Sequence, residues 1–207
     1  YLSLKRTVFG GASKVQSMSW DTVLGVASSE IEETVVSAKK REALVNFLYQ
    51  TVRPKITIPK KPAEFTNMQT YIAVERSYAQ SDDALILYHL IRITQPKWQE
   101  LETPTEAEIH SFLATLSLSQ AGLRDPIGES VARYVRKHVP PFLILRDVFL
   151  DSSNVQALID NQSHFEQKLA ETAARRYHEI GTKVRRAVVR SIIYIFLTKM
   201  IFALALE

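Results

Sequence analysis

Residues 103–141, TPTEAEIHSFLATLSLSQAGLRDPIGESVARYVRKHVPP, hold the start and stop signals of two consecutive helices. Thr103 fits an N-cap, and Pro104 fits the first helical position, where a missing N–H leaves nothing unpaired. Glu106 follows Thr103 by three, the spacing at which a carboxylate returns a hydrogen bond to the cap. Gly122 fits a C-terminal stop, because glycine enters the left-handed conformation without a Cβ clash. Asp125 and Pro126 then open a second helix that runs to His138. Pro140 and Pro141 stop it, since proline lacks an N–H and crowds the preceding turn.

The same signals recur on both sides. Upstream, residues 84–93 (ALILYHLIRI) are apolar enough for core, and Ser81, Asp82 and Asp83 are good caps that split the helical pattern of 68–94. Pro54, Pro59 and Pro62 break helix across 51–67, the internal linker, with 55–58 extended as an isolated strand. Residues 29–50 predict a helix capped by Ser29 with Glu32 as its reciprocal partner. Its apolar stripe is Ile31, Val35, Ala38, Leu44, Val45 and Leu48. Residues 13–26 predict a weaker helix, and 1–9 reads equally as strand or helix before the Gly10-Gly11 break. Downstream, 142–150 predicts a short apolar helix. Ser152 or Ser153 then caps a long helix through Ile180, broken at Gly181.

The fold class predicted is all-α: an irregular multi-helix domain over 1–150, a helical stalk or continuation over 151–186, and a C-terminal hydrophobic helix over 187–206. More than about 60% helix is expected, roughly twice the ordinary share, with no sheet beyond two short strands. Composition agrees. Apolar residues make up 46% and charged residues 23%, enough to build a core, and the six glycines are too few for a turn-rich β fold. The absence of cysteine excludes disulfides, thiolate metal sites and a cysteine nucleophile, and fits a reducing compartment. Residues 2–9 are too short and too charged for the apolar core of a signal peptide.

The net charge of +4 is unevenly spread. Residues 1–70 carry ten basic and six acidic groups, 71–120 three and seven, and 121–207 thirteen and nine. The densest basic run is Arg175, Arg176, Lys183, Arg185, Arg186 and Arg190, and it leads directly into AVVRSIIYIFLTKMIFALAL, residues 187–206. About 20 helical residues match a hydrocarbon layer of roughly 30 Å. Ile192, Ile193, Tyr194, Ile195, Phe196, Leu197, Met200, Ile201 and Phe202 are the expected membrane-anchoring residues. Arg190 can reach the headgroups, whereas a central Lys199 costs roughly 2.5–3.5 kcal/mol on insertion scales. The basic flank is the positive-inside pattern and fits lipid headgroups, or alternatively nucleic-acid phosphates. Lys183, Arg186, Arg190, Tyr194 and Thr198 also form a narrow polar stripe. Spanning, lying on the membrane and packing in a soluble core therefore all remain open for 187–206.

Motifs for chemistry are sparse. Gly10-Gly11-Ala12-Ser13-Lys14 lacks the spacing of a phosphate loop, and no Gly-x-Ser-x-Gly elbow occurs. None of the five histidines completes a Glu-x-x-His or His-Glu-x-x-His set. Glu106 and His110 share a helix face as a surface pair, and Asp82-Asp83 reads as a cap before it reads as ligands. His89, inside the apolar run, reads as a core histidine with satisfied partners. Trp20 and Trp98 read as packing anchors. A second basic stretch, Arg133 to His138 with Arg124, carries no recognisable nucleic-acid-reading motif.

No catalytic residue, metal site or cofactor is expected. The function predicted is a non-catalytic scaffold or interaction protein at a membrane, with the N-terminal domain cytoplasmic. Lipid is the expected partner, with a protein partner or a second copy beside it. Two alternatives stay open: a soluble cytoplasmic all-α nucleic-acid binder, and a helical enzyme or small-ligand binder, which a buried polar cluster around His89 would favour.

Overall fold

The structure, a computed structural model, describes residues 20–35, 39–97 and 105–206. Nine helices follow one another in these residues: α1 (Trp20–Val35), α2 (Lys39–Val52), α3 (Ala63–Val74), α4 (Asp83–Thr94), α5 (Glu106–Arg124), α6 (Ile127–Arg136), α7 (Val139–Leu150), α8 (Val155–Asp160) and α9 (Gln162–Ala205). A 3₁₀ turn, Arg53–Lys55, follows α2, and a π turn, Glu75–Ala79, extends α3. No strand occurs among the described residues, so the fold is all-α as expected. The chain forms two compact units, Tyr1–Pro140 and Pro141–Glu207.

In the first unit α3 packs along α6, α1 along α4, and α4 on α5. Their apolar faces meet in one core of Ile72 from α3, Ile86, Leu87, Leu90 and Ile91 from α4, and Phe112, Leu116 and Leu123 from α5. The apolar run expected as core is buried from Leu85 to Ile91, and only its last residue, Ile93, turns outward. Burial of each large aliphatic side chain stabilises by roughly 1.5–3 kcal/mol, which is why this run sets the position of α4.

Asp82 caps α4 by accepting from Leu85 N at 2.8 Å, as its sequence position indicates. Other signals shift. Thr105, not Thr103, is the cap of α5, and Glu108 completes the capping box. The stretch contains two overlapping Thr-x-x-Glu pairs, and local spacing alone cannot choose between them. Thr103 and Trp98 lie outside the described residues, as do the Gly10-Gly11 turn, 1–9 and Ala38. Gly122 does not end α5. It lies inside the helix, where a Cβ would stand 2.5 Å from Met68 Cε, and its carbonyl accepts from Gln69 Nε2 at 2.8 Å. The glycine is a point of close helix approach rather than a stop.

Ser29 is likewise not a cap. It sits within α1 and donates back to Gly25 O at 3.0 Å, and Ile31 and Val35 are exposed. Val23 and Ala27, earlier along the same side of α1, are buried, and Leu44, Val45 and Leu48 of α2 are buried as expected. The segment 51–67 is more ordered than a linker. Ile56 and Ile58 are buried, Arg53 Nη1 donates to Ile56 O at 3.0 Å, and Lys61 N donates to Ile58 O at 3.3 Å. No strand forms at 55–58.

In the second unit Phe142, Val148, Leu158 and Thr172 are buried, and the rings of Phe149 and Phe165 stack at 6.4 Å. Asparagines, not the expected serines, cap its helices. Asn154 accepts from Ala157 N and Asn161 from His164 N, each at 3.1 Å, while Ser152 bonds back to Val148 O. Pro140 and Pro141 fall in the first turn of α7, where proline is tolerated because those N–H groups lack helical partners. The last helix, α9, has 44 residues and passes Gly181 without a break. Residues 187–205 are therefore its continuation and not a separate helix. Among the described residues no helix is long and apolar enough to cross a membrane.

Candidate functional site

His89 is 2% exposed at the centre of the first unit, and each ring nitrogen faces a carboxylate. Three segments bring the groups together. α4 positions His89, the π turn positions Glu75, and the last turn of α1 positions Glu33. Nδ1 lies 2.9 Å from Glu75 Oε1, and Nε2 lies 2.9 Å from Glu33 Oε1. With an acceptor on each side, both nitrogens donate and the ring is an imidazolium. Burial opposes that charge, but the hydrogen bonds and charges of Glu75 and Glu33 outweigh it and hold His89 above its ordinary range. Burial pushes the Glu75 carboxyl up, and bonds from His89, Ser81 and Tyr71 more than reverse it, so Glu75 is held below the usual range.

The surrounding groups complete the pairing. Tyr71 Oη donates to Glu75 Oε1 at 2.9 Å, and Ser81 Oγ donates to Glu75 Oε2 at 2.6 Å. Burial, with the Glu75 charge adding to it, pushes the Tyr71 hydroxyl far up, so it stays protonated and donating. Glu33 also accepts from Arg41 Nη2 at 2.6 Å and from Arg92 Nη1 at 3.3 Å, and Arg92 reaches Glu42 as well. The π turn presents Glu75 to these partners. It closes with a left-handed Gln80 at φ 58°, and single π turns of this kind recur at functional sites. A bridge of carboxylate, imidazolium and carboxylate thus fixes α1 and the π turn to α4.

The expectation for His89 is borne out: it is a core histidine with both nitrogens satisfied. Its partners left no trace in the sequence, since Glu33 and Glu75 stand 56 and 14 residues away. Asp83, weighed as a ligand, is exposed and pairs with Arg76 at 2.7 Å. Glu106 and His110 are both exposed.

The residues expected at a membrane or at phosphates lie on α9. Ile192, Ile193, Tyr194, Ile195, Phe196, Leu197, Met200, Ile201 and Phe202 are all exposed. Lys183, Arg185, Arg186 and Arg190 are exposed beside them. Arg175 and Arg176 differ: they pair with Asp151 and Asp147, each at 2.7 Å, so acids of their own unit neutralise them. The basic surface is therefore concentrated at 183–190, directly against the apolar run. The chain matches no family model, no curated protein and no solved structure.

Proposed function

We propose that this chain is a non-catalytic, membrane-associated helical protein that seats the end of α9 in a lipid surface and holds its helical unit on the cytoplasmic side. One observation carries the reading. Between Val184 and Phe202, twelve large apolar side chains of α9 are each at least 44% exposed, and they point around the whole circumference of the helix. An apolar surface of that extent marks a partner or a membrane. Lys183, Arg185, Arg186 and Arg190 supply positive charge where that surface begins, which suits anionic headgroups at about 1 kcal/mol each. Arg190 and Lys199 interrupt the apolar run, which favours a seat in the interface over a full crossing.

The test is flotation of the purified chain with neutral and with anionic lipid vesicles, alongside a chain lacking 187–207. The full chain is expected to float with anionic vesicles, and the shortened chain to stay in solution as a folded, monodisperse helical protein. Aggregation of the shortened chain with loss of a cooperative melt would place this helix in a protein core. Salt-sensitive binding to RNA or DNA without flotation would favour phosphate recognition.

A further inference from the structure

The geometry around His89 points to a ligand independently of the membrane reading. Its Nδ1 is committed to Glu75, whose two oxygens are in turn held by Tyr71 and Ser81. Nε2 faces the other way, toward Glu33 and Glu42. One ligand atom from each of His89, Glu33 and Glu42 lies within 4.8 Å of the other two. A hydrogen-bonded carboxylate behind an imidazole, with oxygen donors in front of it, is how proteins orient a histidine toward a metal.

We propose that Glu33, Glu42 and His89 form a binding site for a divalent transition-metal ion of the zinc, iron or manganese class, with Glu75 as the positioning residue behind His89. One imidazole and two carboxylates, without thiolate, suit these ions. Ligand atoms on bonds of about 2.1 Å stand about 3.4 Å apart in a tetrahedral site, so a set within 4.8 Å must close by up to about 1.4 Å. Glu42 can supply that movement, because its side chain is 31% exposed and reaches in from the solvent side.

Charge balance is consistent with the exchange. Glu33, Glu42 and Glu75 bring three negative charges, and Arg41, Arg92 and the His89 imidazolium bring three positive ones. On binding, the Nε2–H bond breaks, its proton passes to water and the Nε2–metal bond forms. If one guanidinium leaves as the ion enters, the cluster stays neutral. Arg41 and Arg92 are each 36% exposed and can swing into water, which also opens the path for the ion.

The test uses the full chain without a histidine tag, stripped with chelator and titrated with Co²⁺ and Zn²⁺. Readouts are the visible absorption of bound Co²⁺, metal content after dialysis and the thermal melt. One equivalent per chain is expected, with a raised melting temperature. Because His89→Ala strips a charge from the core, Glu42→Gln on the solvent side is the deciding variant. It should weaken Co²⁺ binding at least 10-fold while the helical circular dichroism is kept. Glu75→Gln should weaken binding by about 10–100-fold at unchanged stoichiometry, the usual effect of removing the group behind a metal-bound histidine. Exposed His164→Ala should change nothing. No retained metal in the wild-type chain would overturn the proposal, as would Co²⁺ binding that survives Glu42→Gln or is lost in His164→Ala.

Discussion

Within the first unit the carboxylates of Glu33 and Glu75 and the imidazole of His89 are at most 6% exposed, whereas along 184–202 of α9 twelve large apolar side chains are at least 44% exposed. Each region inverts the ordinary rule of apolar inside and charge outside. In the first, burial is tolerated because every charge meets an opposite charge and the Glu75 oxygens are saturated with donors. In the second, hydrocarbon stays exposed because, among the described residues of the second unit, no side chain covers it. One region is paired within its own unit; in the other, the described residues of the second unit leave the apolar side chains exposed.

The largest effect should come from breaking the buried side of this contrast. His89→Ala leaves Glu33 and Glu75 without the cation between them, and truncating one partner of a buried pair costs about 3–5 kcal/mol. Chemical denaturation should show that loss. A midpoint near wild type would mean that water, not the imidazolium, satisfies the two carboxylates. Next comes the exposed side. Reversing Arg185, Arg186 and Arg190 to Glu should weaken anionic-vesicle binding by roughly 100-fold or more, at about 1 kcal/mol per cation removed, and leave the melt in place. Unchanged flotation would show that apolar insertion alone holds the helix.

Two glycines sharpen the comparison further. Gly122→Ala places a methyl 2.5 Å from Met68 Cε, the flexible end of a side chain that can give way, so crowding should cancel much of the roughly 1 kcal/mol gained in helix propensity. Gly181→Ala meets nothing within 4 Å in an exposed helix interior and should stabilise by up to about 1 kcal/mol. Equal responses in thermal melts would erase the distinction between the packed and the free helix.

A comparably modest effect lies at the start of α5. Thr105→Ala removes the side-chain cap and should lower stability by roughly 0.5–2 kcal/mol. Its partner Glu108 is held below the ordinary 4.5 by the backbone N–H and then the hydroxyl of Thr105. A depressed folded value means that the carboxylate's contribution is complete above the unfolded value near 4.5 and is lost as pH falls through the lower folded value. The gap between wild type and Thr105→Ala should therefore narrow on acidification below that point. A gap constant from neutral pH to strong acid would remove Glu108 from the capping box.

Part of this was legible beforehand because it is local. Asp82 caps α4 through an N–H three residues away, and the apolar run of α4 is buried wherever it lands. The clustering of Lys183, Arg185, Arg186 and Arg190 against an apolar run is equally a property of neighbours along the chain. Illegible were the features that depend on a partner far away. The role of Gly122 is set by Met68, and Ser29 falls inside α1 because that helix already starts at Trp20 and buries Val23 and Ala27. The neutralisation of Arg175 and Arg176 by Asp151 and Asp147 is likewise invisible in a count of basic residues.

By itself the sequence determined that the chain is helical, because caps, prolines and apolar spacing act within a turn or two of the residue that carries them. It also determined that a basic flank meets an apolar segment. Only the tertiary structure decided that Glu33, Glu75 and His89 share one buried site, that Gly122 packs rather than stops, and that α9 runs unbroken with its end uncovered. Those outcomes rest on contacts between residues tens of positions apart, whose energies depend on which helix faces meet, and no local spacing encodes that choice.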